Sequence, residues 1–249
     1  QIILNDGATF TNNTYMGTYG MSTSSGWSPF VVSASTNVST INNYGTIVQY
    51  YSSTPGLMKS MIQTSAPVTL VNGGTILGGW FNVSTTNITL TDTRTCFITL
   101  SDHDNDVTFL NGASMTGDIT FGAGDDTLML QANAVINGTV TLGKGLDDVT
   151  LQAGTKISSL QMGGSTQGST LTFQGDPVPV SFKYADMSTG VTLGVDIIEV
   201  RLDGNWDPAV TPGWGYSLTL ISGGVVSGTP LNSTYTLNGA QYLIKNDST

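Results

Sequence analysis

The chain has very little of several residue types, and each scarcity narrows what it can be. Cys96 is the lone cysteine in 249 residues, so no intrachain disulfide can form, and beside Phe97 it reads as a small buried apolar side chain. Seven Lys and Arg stand against 17 Asp and Glu, a net charge of -10, which leaves no basic patch to neutralise phosphates and argues against a nucleic-acid partner. No stretch of 18 apolar residues occurs, so nothing here spans a membrane as a helix. Glu199 is the lone glutamate, and strong helix formers are scarce beside 31 Gly and abundant Thr, Ser and Asn. No Gly-x-Ser-x-Gly, His-Glu-x-x-His or phosphate-loop motif is present. The one histidine, His103, lies in Ser101-Asp102-His103-Asp104, but residues adjacent in sequence do not make a triad, and it reads as an exposed turn histidine. The chain begins at Gln1 without Met or an apolar leader, which suits a processed secreted fragment and equally a recombinant piece.

What is present is a pattern written three times between Phe97 and Gln152. Val107-Thr108-Phe109, Leu128-Met129-Leu130 and Val149-Thr150-Leu151 follow one another at an offset of 21 residues, as do Gly122/Gly124 and Gly143/Gly145. Ile98 and Leu100 map by the same step onto Ile119 and Phe121, then onto Val140 and Leu142. A fixed period near 20 marks a repeat architecture, and the short alternating segments between Gly/Asp turns are strands. The outer residues of each triplet face one way and the middle residue the other, so a stack of coils buries Leu100, Phe109, Phe121, Leu130, Leu142, Leu151 and Phe173 and turns Thr outward.

Similar triplets extend the ladder to Val68-Thr69-Leu70, Ile88-Thr89-Leu90, Leu171-Thr172-Phe173, Val191-Thr192-Leu193 and Leu218-Thr219-Leu220. The expectation is a single all-β parallel β-helix, a solenoid with about 20-21 residues per coil, in which neighbouring coils pair as parallel strands. Roughly a dozen coils at about 4.8 Å would make a rod on the order of 55 Å long. Residues 1–60 keep period poorly and read as an N-terminal cap with the first irregular coils; 61–202 are regular coils; 203–215 are an inserted loop; 216–249 are C-terminal coils or a cap. Turns such as Ile41-Asn42-Asn43-Tyr44-Gly45-Thr46-Ile47 and Val71-Asn72-Gly73-Gly74-Thr75-Ile76 carry Gly and Asn that suit tight corners, and stacked Asn side chains can form amide ladders.

Those two turns, the run Gly122-Ala-Gly-Asp-Asp-Thr-Leu128 and the tail Tyr216-Ser-Leu-Thr-Leu-Ile-Ser-Gly-Gly-Val-Val-Ser-Gly228 resemble passenger domains of Gram-negative autotransporters. The resemblance covers most of residues 40 to 245. It implies a right-handed β-helix, export across the outer membrane to the bacterial cell surface or medium, and a role as an adhesin. The partners it implies are a host surface glycan or protein, or copies of the chain in self-association, aggregation and biofilm formation. The barrel that follows the passenger in that family is absent from this sequence. Two other readings stand beside it: a polysaccharide-processing β-helix of lyase, glycosidase or phage tailspike type, and a purely structural stalk.

Two sets of residues invite a chemical role. Gly122-x-Gly124-x-Asp126-x-Leu128 and Gly143-x-Gly145-x-Asp147-x-Val149 match the core of a Ca²⁺-binding nonapeptide, which makes Asp125, Asp126, Asp147 and Asp148 candidate Ca²⁺ ligands; the plain alternative is a Gly/Asp corner and no cofactor. The same aspartates are the acids a glycoside hydrolase would need, and a lyase would want Arg or Lys beside them, but the turns are short, only Lys144 lies in that edge, and Arg94 and Arg201 are remote, which argues against an enzyme. In the loop from Asp203 to Gly215, Trp206 and Trp214 are candidate ligand contacts, because hot spots favour Trp and because Pro208 and Pro212 restrict the segment; the alternative is that the indoles cover the core.

Overall fold

The computed structural model describes residues 2–5, 7–20, 30–32, 35–51, 60–83, 88–92, 96–162, 169–174, 183–186, 190–192, 198–203, 219–222, 226–227, 234–237 and 240–243. Among these every regular element is a β-strand, and no helix is long and apolar enough to cross a membrane. The strands build an eight-stranded sheet and a strongly curled 15-stranded sheet. The first runs Thr9–Asn12, Ser39–Asn43, Val68–Asn72, Asp106–Phe109, Thr127–Leu130, Asp148–Gln152, Ser169–Gln174 and Ile198–Asp203, each parallel to the next. Eight such rungs span about 34 Å at the usual strand separation, shorter than the rod expected from a dozen coils.

The repeat explains how one chain fills both sheets. Asp106–Phe109, Thr127–Leu130 and Asp148–Gln152 each lead through a short turn into Ser114–Thr120, Val135–Thr141 and Thr155–Gln161 of the larger sheet. The first of these longer strands changes partner midway: Ser114–Thr116 lie beside Thr75–Leu77, whereas Gly117–Thr120 lie beside Cys96–Thr99. Gly117, at φ 146°, sits at that change of direction, where a side chain would be strained. The chain then turns back to the eight-stranded sheet one rung further on. The arrangement is all-β and parallel, compatible with a β-helix-like solenoid.

The core is a set of columns, because a constant offset puts equivalent residues one above another. Val107, Leu128, Val149 and Leu171 share one register line, and Phe109, Leu130, Leu151 and Phe173 the next; all are buried. Met115, Ile136 and Ile157 line the facing sheet, and Leu100, Phe121 and Leu142 close the corner, so every residue expected to point inward does so. The middle residues Thr108, Met129, Thr150 and Thr172 are half-buried rather than fully solvent-facing, because each is flanked by its counterparts in adjacent rungs.

One polar column is built of asparagine. Asn12, Asn43 and Asn72 stack with Nδ2 of Asn12 donating to Oδ1 of Asn43 at 2.8 Å and Nδ2 of Asn43 donating to Oδ1 of Asn72 at 2.8 Å. This is the expected amide ladder, and burial of its three amides strengthens it; the N–H of Gly74 also donates to Oδ1 of Asn72 at 3.3 Å. Asn72 is followed in register by Phe109, where the column becomes apolar.

Three triplets of the sequence ladder occupy other places than expected. Ile88–Asp92 pairs antiparallel with the far end of Thr75–Val83, forming a hairpin, and is not a rung of the stack. The rung after Val68–Asn72 is instead Asp106–Phe109, with Thr69 beside Asp106. Strand alternation is the same in a hairpin and in a coil, so the pattern alone does not separate them. Likewise Gly190–Thr192 pairs with Ser159–Gln161, and Thr219–Ser222 with Lys183–Asp186, both in the larger sheet, while Ile198–Asp203 supplies the last rung of the smaller one. Thr234–Leu237 and Ala240–Leu243 form a separate antiparallel pair.

Replacing Leu130 by Asp places an unpaired charge in the core and should cost several kcal/mol, read as a large fall in melting temperature. Asn43→Ala removes the middle of the amide ladder, leaves Nδ2 of Asn12 only its 3.4 Å bond to the carbonyl of Thr46 and Oδ1 of Asn72 only the N–H of Gly74 at 3.3 Å, and should cost about 1–3 kcal/mol in a denaturant melt. An unchanged transition for either variant would contradict the assigned inward face.

Candidate functional site

The candidate site is the edge where the larger sheet hands the chain back to the smaller one, at turns 100–105, 121–126 and 142–147. Glycine lets these turns stack closely. A Cβ on Gly143 would lie 1.5 Å from the carbonyl oxygen of Gly122, and one on Gly122 would lie 2.1 Å from that of Ser101. His103 is exposed and lies directly against Gly124 of the next turn, as the offset indicates.

The four candidate aspartates separate into two pairs with opposite environments. Alternation along the strand start sends Asp125 and Asp148 outward, where both are exposed, and sends Asp126 and Asp147 inward, at 1% and 0% exposure. The inner pair belongs to a ladder that sequence reading missed in part. The backbone N–H of Val68 donates to Oδ1 of Asn105 at 3.3 Å, that of Asn105 to Oδ1 of Asp126 at 2.9 Å, that of Asp126 to Oδ1 of Asp147 at 3.1 Å, and that of Asp147 to Oγ of Ser169 at 3.1 Å. Each side chain therefore accepts the N–H of the preceding rung. The offsets of 21 and 22 residues that link Asn105, Asp126, Asp147 and Ser169 were legible, but a ladder of three residue types does not announce itself.

The outer carboxylates bond in the other sense. Oδ1 of Asp104 accepts the N–H of Asp125 at 2.9 Å, and Oδ1 of Asp125 accepts that of Leu146 at 2.8 Å. Both sets knit one turn to the next, and this is how neighbouring carboxylates are tolerated along an acidic edge. Neither adjacent pair, Asp125/Asp126 or Asp147/Asp148, presents two solvent-facing carboxylates to a sugar ring, since one member of each is buried. Among the described residues, no three His, Cys, Asp or Glu side chains converge as a metal-binding group. Trp206 and Trp214 lie outside the described residues.

Electrostatics at the inner pair are unusual for aspartate. Burial pushes the Asp126 carboxyl up from 3.8 to about 7; the two hydrogen bonds from Asn105 pull against it, and the charges of Asp147 and Asp104 add to the rise. Burial likewise raises Asp147 to about 6, opposed by the N–H of Asp126 and reinforced by Asp125 and Asp148. The second carboxylate oxygen of each, Oδ2, is buried and has no hydrogen-bond partner. Comparisons with family models, with curated proteins and with solved structures returned no match.

A raised carboxyl pKa means that the folded chain binds more protons than the unfolded one between 3.8 and about 7. Stability from these two groups is therefore greatest at the acid end and falls as pH rises through that window. In cation-free buffer the melting temperature should drop between pH 5 and pH 8, and Asp126→Asn should flatten the profile. A profile that rises with pH and is unmoved by this substitution would contradict the assigned environment.

Proposed function

We propose that the chain is a right-handed parallel β-helix of the autotransporter passenger type, displayed on or released from a Gram-negative cell, and that it works as an adhesin. In this reading its partners are a host surface glycan or protein, or further copies of the chain. The observation that supports it best is the in-register parallel stacking of a 21-residue unit, seen where Asp106 lies beside Thr127 and Thr127 beside Asp148. Such a stack makes a long, stiff surface with a dry apolar interior and outward ranks of short polar side chains, which suits adhesion better than turnover. The opposed orientation of neighbouring aspartates weighs in the same direction, because one member of each adjacent pair, Asp125/Asp126 and Asp147/Asp148, is buried away from a glycan.

Contact by the Trp-bearing loop is the part of the proposal that mutation reaches most directly. Trp206→Ser and Trp214→Ser, alone and together, should abolish adhesion to host cells or aggregation of cells displaying the chain, with the melting temperature unchanged. A fall in melting temperature with adhesion intact would place the indoles over the core and remove them as contacts. Release of reducing ends or unsaturated sugars from neutral or acidic polysaccharides would replace the adhesin reading with the glycan-processing one.

A further inference from the structure

The repeat supplies its own control for the buried carboxylates. Asn105, Asp126 and Asp147 occupy the same position in three successive rungs, one before Asp106, Thr127 and Asp148 in register. Asn105 places two hydrogen bonds on one oxygen of the next rung: its backbone N–H reaches Oδ1 of Asp126 at 2.9 Å, and its side-chain Nδ2 reaches the same atom at 2.8 Å. Asp126 repeats the first of these bonds on Asp147, its N–H reaching Oδ1 at 3.1 Å. Carried along the repeat, the second relation sets Oδ2 of Asp126, the atom that stands where Asn105 has Nδ2, against Oδ1 of Asp147. Two carboxylate oxygens do not bond, since both only accept. Oδ2 of Asp126 is accordingly buried without a partner, on a side chain 1% exposed. A metal ion midway between the Oδ2 atoms of Asp126 and Asp147 would fall on Oδ1 of Asp147, so what this contact has room for is a hydrogen.

We propose that Asp126 is held as a neutral carboxylic acid whose hydrogen, on Oδ2, donates to Oδ1 of the Asp147 carboxylate, so that one shared proton locks turn 121–126 to turn 142–147. The acid O–H takes the place of the Asn105 amide N–H, and Oδ1 of Asp147 then receives a backbone and a side-chain bond, as Oδ1 of Asp126 does. An O–H donating to an ionised oxygen is among the stronger hydrogen bonds a protein makes. The charged groups that face the pair are all acidic, and the cations of these turns, His103 and Lys144, are exposed. Burial, and after it the charges of Asp147 and Asp104, hold the Asp126 carboxyl protonated up to about 7, against the two bonds from Asn105. Burial raises Asp147 less, to about 6, with Asp125 and Asp148 adding to the rise, so Asp147 is the member that ionises first. When the proton leaves to water, two acceptors and two negative charges face each other across the turns and the corner loosens. The apolar columns beside it carry no titrating group and hold. The stack therefore contains a lock that is closed in acid and opens as pH rises through about 7. It is independent of what the rod adheres to.

The test uses the full 249-residue chain in buffer containing EDTA. Infrared spectra should show the carbonyl stretch of a protonated carboxyl persisting at pH 6, where ordinary aspartates are ionised, and fading as pH passes about 7. Asp126→Asn should lose that band, and Asp125→Asn and Asp148→Asn should keep it. Amide exchange followed by mass spectrometry gives a second reading. Corrected for its intrinsic pH dependence, protection of the N–H groups of Asn105 and Asp126, which donate into the column, should fall by about tenfold per pH unit on the way to pH 7. Protection of Leu128 and Val149 in the adjoining strands should change much less. In Asp126→Asn the protection should stay level, because Asn105 shows that an amide fits this position. The proposal is overturned if the parent shows no protonated-carboxyl band at pH 6, or if its turns are equally protected at pH 5.5 and pH 8, results that need no variant. A band that survives Asp126→Asn and disappears in Asp147→Asn places the proton on the other carboxyl and overturns it too.

Discussion

Main-chain hydrogen bonding between rungs is the constraint from which the other features follow. A parallel ladder serves every N–H and C=O of a strand from the rungs on either side, and it holds them at one fixed separation. It runs through the turns as well as the strands: Lys144 N–H reaches Gly122 O, Asp148 N–H reaches Asp126 O, and Thr170 N–H reaches Asp147 O. Side chains are not free to choose their neighbours under that constraint. Each one meets its counterpart from the next repeat at the strand spacing, whatever its chemistry. At the corners even a methyl group is too much, which is why Gly122 lies beneath Gly143 and Gly124 beneath Gly145.

Stacking like on like is harmless or costly according to the residue. Leucine on leucine extends a core, and the run from Phe109 through Leu130 and Leu151 to Phe173 loses no more by repetition than any packed interior. Asparagine on asparagine is better than harmless, since an amide carries a donor and an acceptor that meet in the column. Aspartate on aspartate is the adverse case. The fold eases it by turning Asp125 and Asp148 out to water and by giving Oδ1 of Asp126 and Asp147 a backbone N–H each.

Sequence reading reached the parts of this that depend on periodicity. The 21-residue offset placed Val107, Leu128 and Val149 on one line and assigned the inward set correctly, because a repeat fixes register as well as strand type. It failed at Ile88–Asp92, where alternation is equally that of a hairpin, and at Gly190–Thr192 and Thr219–Ser222, which alternate correctly but lie in the other sheet. Spacing along the chain cannot say which side of the coil a strand occupies once insertions make the repeats unequal, as between Val68 and Asn105. The division of the aspartates was within reach: Asp126 stands two residues before the buried Leu128, and Asp147 two before the buried Val149, so parity alone sends both inward. Asn105 and Ser169 were hidden because the ladder is conserved in function, one acceptor per rung, and not in residue type.

The two polar columns differ in how they end, and that difference carries the chemistry. The amide column closes on itself: Asn12 Oδ1 takes the N–H of Thr14, and Asn72, with Phe109 beyond it, turns Nδ2 to the carbonyl of Ser114. Every amide group along it is used, with no help from outside the fold. The aspartate column has one oxygen of each carboxylate satisfied from backbone N–H groups, while the Oδ2 atoms of Asp126 and Asp147 have no hydrogen-bond partner; among the described residues, the side-chain donors at its ends, Asn105 and Ser169, donate elsewhere. Side chains that only accept cannot complete one another, however well they are stacked. Stacked one rung apart in a buried corner, the two carboxylates each keep an oxygen without a donor, where the amides of the other column leave none.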